Sequence, residues 1–148
     1  MEAAAGGIAV ISLGLQLVHT VKRVKNFVDG IRDAPSELAN LATDLERYHL
    51  MLAKVNDLVG TRRSLQNSQD STDLMESIVR GCKPNIDKLE ALMDKLQKKL
   101  SHGGRRWTTW ASISSMVKKD EIERYQKGIK DNLANLNMAV NIGTSESM

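Results

Sequence analysis

The residues of this chain best suited to chemistry are charged and aromatic. Between Lys95 and Lys119 lie seven basic residues, Lys95, Lys98, Lys99, Arg105, Arg106, Lys118 and Lys119, and no acidic one. That window carries +7, so the remainder sums to −4 beneath a net charge of +3. Trp107 and Trp110 fall inside it. Clustered Lys and Arg attract anionic lipid by about 1 kcal/mol per cation near the surface, and Trp settles at membrane–water boundaries. The blander reading is a solvated loop in which the two tryptophans close one end of a core. Nucleic acid is not expected as a partner, because no reading motif accompanies the window and the rest of the chain is acidic.

Residues for catalysis are missing from the pattern. His19, His49 and His102 lie far apart, each without a His or Cys partner at ligand spacing. There is no glycine-rich phosphate loop ending in Lys-Ser or Lys-Thr, no His-Glu-x-x-His and no cysteine pair. Asp44, Glu46, Asp87, Glu90, Asp94, Glu121 and Glu123 fall off the apolar seams, where solvated helix faces account for them. The single cysteine, Cys82, forbids an internal disulfide, fits a reducing compartment and reads as a small core residue. The expectation is a protein without cofactor, metal or enzymatic activity.

The elements that must position these residues are helices. Five aromatic residues (2 Trp, 2 Tyr, 1 Phe) among 148, with 41% hydrophobic content, leave the core to aliphatic side chains. No stretch keeps a period of two. Instead, apolar residues recur at steps of three and four. A second helix carries Leu38, Leu41, Leu45, Tyr48, Leu52, Val55 and Val59, with Gly60 as a C-terminal cap. Polar residues 61–70 read as a loop. Ser71 opens a third helix with Met75, Val79, Cys82, Ile86, Leu89, Met93, Leu96 and Leu100 in phase across Gly81 and Pro84, which implies a kink. A short helix holds Trp107, Trp110, Ile113 and Val117, and a last one Ile122, Tyr125, Ile129, Leu133, Leu136 and Val140. The predicted fold is all-α: an up-and-down bundle of four long helices plus one short helix, one domain over 1–142 with a flexible tail at 143–148.

The first helix is unlike the others. Gly7, Val10, Gly14, Leu17, Val21, Val24, Val28 and Ile31 form its seam, and Asp33-Ala34-Pro35 ends it. From Val21 the opposite face is charged. From Ala3 to Val21 there is no Asp, Glu, Lys or Arg, and Ile8, Ile11, Leu13, Leu15 and Val18 cover the other faces. A helix apolar all round belongs in protein or in lipid. Its 19 uncharged residues reach about 28 Å, at the lower edge of a bilayer span, and Gln16, His19 and Thr20 weaken it as a constitutive anchor. It also lacks the leading positive charge of a secretory signal.

Taken together, the start MEAAAGGIAVISLGLQL, the turn at Asp33 to Leu45, the CKPNIDKLEALMDKL helix, Arg106-Trp107 and KKDEIERYQKGIKDNL resemble a known family. They are similar to the N-terminal effector domains of fungal NACHT and ankyrin-repeat STAND receptors, of the HeLo-like and SesA-like group. That resemblance implies a bundle acting in regulated cell death or heterokaryon incompatibility, in the cytoplasm at rest and at the plasma membrane on activation. Its partners are then a NACHT/STAND sensor, further copies of itself and anionic membrane lipid. Some relatives carry a regular glycine zipper in the first helix, where Gly6, Gly7 and Gly14 give only a Gly-x6-Gly spacing here. On this reading Ile8, Ile11, Leu13, Gly14, Leu15, Leu17 and Val18 insert into the membrane. Lys98, Lys99, Arg105, Arg106, Trp107, Trp110, Lys118 and Lys119 supply attraction to lipid. The alternative is an adaptor bundle that pairs with like domains without touching lipid.

Overall fold

The computed structural model describes the backbone of residues 2–65, 69–102 and 109–146, with side chains for 11–61, 73–100 and 109–144. It contains α1 (Glu2–Asp29), α2 (Ser36–Leu65), α3 (Gln69–His102), the short α4 (Trp110–Ser114) and α5 (Lys119–Glu146). No strand occurs among the described residues; Arg32 and Thr109 share one isolated parallel bridge. The all-α bundle of four long helices and one short one is the observed fold.

Every residue of the predicted α2 seam is buried, as are Met75, Val79, Cys82, Ile86, Leu89, Met93 and Leu96 of α3. On α1, Leu17, Val21 and Val24 are buried, as is Ile31 just beyond its end, and on α5 Ile129, Leu133, Leu136 and Ala139. Steps of three and four bring one stripe of each helix to a common axis, where burial returns about 25 cal/mol per Å2 of apolar surface. The main cluster fills the bundle. A second cluster of Ile31, Leu38, Leu96, Ile113 and Val117 closes one pole beneath α4.

Helix directions follow from pairs of contacts. Gly14 meets Asn56 and Lys25 meets Glu46, so α1 and α2 are antiparallel. Asn85 bonds Gly128 and Met75 abuts Gly143, so α3 and α5 are antiparallel. Tyr48 meets Asn132 and Leu58 meets Gly143, so α2 and α5 run parallel. Around the bundle the order is α1, α2, α5, α3, with α2 and α3 touching across the diagonal. Helix α1 therefore occupies a corner and packs chiefly on α2 and α3.

Boundaries depart from the sequence reading at several points. The stretch 61–70 is not all loop: α2 continues through Gly60 to Leu65, and α3 begins at Gln69. Gly60 does not cap the helix; a Cβ there would lie 3.9 Å from Ile11 Cδ1, so the glycine sits at the α1 contact. In agreement with that reading, α3 continues through Gly81 and Pro84; both face solvent, as does Arg80, whose carbonyl loses its donor to Pro84. α1 stops at Asp29, where Gly30 N–H donates to the Asn26 carbonyl at 3.1 Å and Asp33 turns the chain at φ 59°. α4 spans Trp110–Ser114, so Val117 lies beyond it, and Trp107 falls outside the described residues. α5 runs past residue 143 to Glu146, and Gly143 is buried against Leu58 and Met75.

Candidate functional site

The uncharged half of α1 divides into two faces. Gly14 and Leu17 are buried, Ile11, Leu13 and Val18 are half-buried against the main cluster, and Leu15 stands 61% exposed. Ser12, Gln16 and His19 share the outer face with Leu15. The side chain of Ile8 lies outside the described residues. A helix apolar all round is thus not enclosed by the bundle, since a corner position covers only the stripe toward α2 and α3. No helix among the described residues is long and apolar enough to cross a membrane.

Fastening along α1 is uneven. In its charged half, Arg23 reaches Glu90 at 3.2 Å and Asp94 at 3.8 Å on α3, and Lys25 reaches Asp29 at 2.9 Å and Glu46 at 3.3 Å. Glu46 is shared with His49 Nε2 at 3.0 Å. His49 first and Lys25 second hold the Glu46 carboxyl below the usual range, while Asp29 and then Glu46 raise the Lys25 ammonium. Exposed pairs of this kind contribute little, because solvent screens them. Between Ile11 and Val21 no ion pair occurs among the described residues, and α1 is held there by apolar packing. It approaches α2 tightly at Gly14, where an added Cβ would lie 2.2 Å from Asn56 Oδ1.

The basic and aromatic residues gather at the other pole. Lys98, Lys99, Lys118 and Lys119 are exposed, and Trp110 is half-buried on the cluster beneath α4. Arg105, Arg106 and Trp107 lie outside the described residues. Because Leu96 packs with Ile31, the described lysines sit near the end of α1, about 20 Å along its axis from Leu15. The fold does not bring the two predicted groups together. α4 is fixed locally: Thr109 caps it by accepting from Ser112 N–H at 3.4 Å, and Trp110 N–H donates to the Arg32 carbonyl at 2.9 Å. An apolar cavity of about 60 Å3 lies beneath, lined by Phe27, Leu92, Ile113 and Tyr125 among others.

Two buried asparagines escaped the sequence reading. Asn132 Nδ2 donates to the Tyr48 hydroxyl at 2.6 Å inside the core, beside the Cys82 thiol. Burial pushes the tyrosine hydroxyl far above its ordinary range and the thiol up to about 11. Asn56 is buried opposite Gly14. Both asparagines carried a signal: Asn56 stands four after Leu52 and three before Val59, and Asn132 three after Ile129 and four before Leu136, on the seams themselves. Among the acids, Asp44 is a correction. It is not simply solvated, since its Oδ2 is buried and has no hydrogen-bond partner among the described residues, in the groove lined also by Arg47 and Lys130. No cluster able to hold a metal occurs among the described residues.

No curated protein and no solved structure matches the chain. One family does, over residues 10–136: SesA, the N-terminal domain on NACHT_NTPase and P-loop NTPases. That match runs from the uncharged half of α1 into α5 and takes in the α2 and α3 seams, so this all-α chain belongs to the SesA family of N-terminal signalling domains.

Proposed function

We propose that the chain is the membrane-acting effector of a NACHT-type receptor, serving regulated cell death or heterokaryon incompatibility. At rest it stays in the cytoplasm as a closed bundle. Clustering by the sensor brings copies together, α1 swings out, and Ile8, Ile11, Leu13, Leu15 and Val18 enter anionic lipid of the plasma membrane. Lys98, Lys99, Lys118 and Lys119, with Arg105, Arg106, Trp107 and Trp110, hold the opposite pole near the headgroups.

The observation carrying this reading is Leu15, a large apolar side chain 61% exposed on a helix with no charge between Ala3 and Val21. Burial in this bundle needs one stripe; the surplus apolar surface calls for a second destination. Family membership supports a signalling role beside an NTPase.

Dye release from anionic liposomes tests the proposal. The intact chain is expected to release dye after forced dimerisation, and a chain lacking residues 1–20 is not. Leu15→Glu should keep full helicity, because its site is exposed, yet lower release at least tenfold. Charge reversal at Lys98 and Lys99 should weaken vesicle binding at low salt. Silence of the intact, folded chain on every vesicle composition would leave the adaptor role instead.

A further inference from the structure

Asn56 places a polar group where α1 needs a firm seat. The side chain is 5% exposed, and its Oδ1 finds no hydrogen-bond partner among the described residues. It is pressed onto Gly14, where a Cβ would come 2.2 Å from Oδ1 and 2.7 Å from Cγ. Those distances leave no room for a Cβ unless the Asn56 carboxamide is displaced. The contact faces bare backbone whose amides are committed to α1, leaving a Cα–H as the weak substitute for a donor. Neighbouring seam positions of α2 carry Leu52, Val55 and Val59, all fully buried. An apolar side chain at 56 would continue that packing, so the orphaned carboxamide is a departure that weakens this contact.

The departure falls in a telling place. Arg23 and Lys25 tie the later turns of α1 to α3 and α2, while the turns around Gly14 have no ion pair among the described residues. We propose that Asn56 is a built-in release device: its unpaired oxygen loosens the uncharged half of α1 from α2, and the penalty vanishes once α1 departs and water reaches the carboxamide. The helix then opens from its first turns, with Arg23 and Lys25 as the hinge. This inference rests on the reading of α1 as the moving element.

Amide hydrogen exchange of the whole chain in water, without lipid, is the test. Asn56→Leu keeps the branched shape and removes the orphan. Exchange in residues 11–20 is expected to slow about tenfold, with α3 and α5 little changed. Gly14→Ala drives a methyl into the carboxamide and should speed the same amides. If Leu overfills the contact, Gly14→Ala/Asn56→Ala removes the carboxamide and lets two methyl groups meet, and the same slowing is expected. Unchanged or faster α1 exchange in both apolar variants, at native helicity, overturns the device. Slowed exchange with vesicle leakage as in the unaltered chain keeps the device and overturns the membrane role of α1.

Discussion

Tyr48 sets a phenol where three helices meet, and the groups around it define what this core tolerates. Its hydroxyl takes the Asn132 amide from α5 at 2.6 Å, with Cys82 of α3 alongside. A buried polar pair contributes little while both members are present, but much is lost when one is stranded. Tyr48→Phe is therefore expected to cost about 1–3 kcal/mol in urea unfolding, because Asn132 Nδ2 is left without an acceptor. Adding Asn132→Leu should recover most of that loss, since neither polar group then remains. Tyr48 and Cys82 were legible from the sequence as seam residues. Asn132 and Asn56 were not, because periodicity is read from apolar residues and a polar one on the seam resembles an interruption. Spacing alone placed them inward; only the facing helix shows what they meet.

At the scale of elements, helix identity was legible and helix ends were less so. Steps of three and four over many residues fix which face turns inward, as all seven predicted seam residues of α2 demonstrate. A terminus depends on single residues whose role is set elsewhere: Gly60 could cap, but it lies at the α1 contact and the helix runs on. α4 shows the opposite dependence. Five residues cannot form an independent helix, so α4 exists through its Thr109 cap, the Arg32 bond and two buried anchors, Ile113 and Val117. Ile113→Ala is expected to lower stability by about 2–4 kcal/mol. It should also shift tryptophan emission to the red below the global transition, as Trp110 loses its support. The candidate site was legible only in part for a related reason. The sequence assembled an apolar helix and a basic window, yet their placement near opposite poles comes from α1 and α3 running side by side.

For the molecule as a whole, buried protons tie stability to pH. The Cys82 thiol titrates near 11 when folded against an ordinary value of 9.0, so the unfolded chain ionises first. Its contribution is complete below pH 9 and falls as pH rises toward 11, and the buried Tyr48 hydroxyl acts in the same direction. Urea midpoints are expected to drop across that interval, and Cys82→Ala should flatten the slope. On the acid side Glu46 works oppositely: its depressed carboxyl adds stability above the usual carboxylate range and loses it as pH falls, weakly because the pair is exposed.

Four long helices also return the chain to the pole from which it set out. There Ile11 of α1 meets Gly60 of α2, and Gly143 of α5 meets Leu58 of α2, two residues before Gly60. Anything tethered beyond α5 is thus attached at the end where α1 starts. When several bundles hang from one hub, their first helices are pooled at that hub at millimolar effective concentration, whatever the bulk level of the protein. On the proposed reading, avidity between first helices would be governed by the tether, and assembly alone would suffice to switch it on.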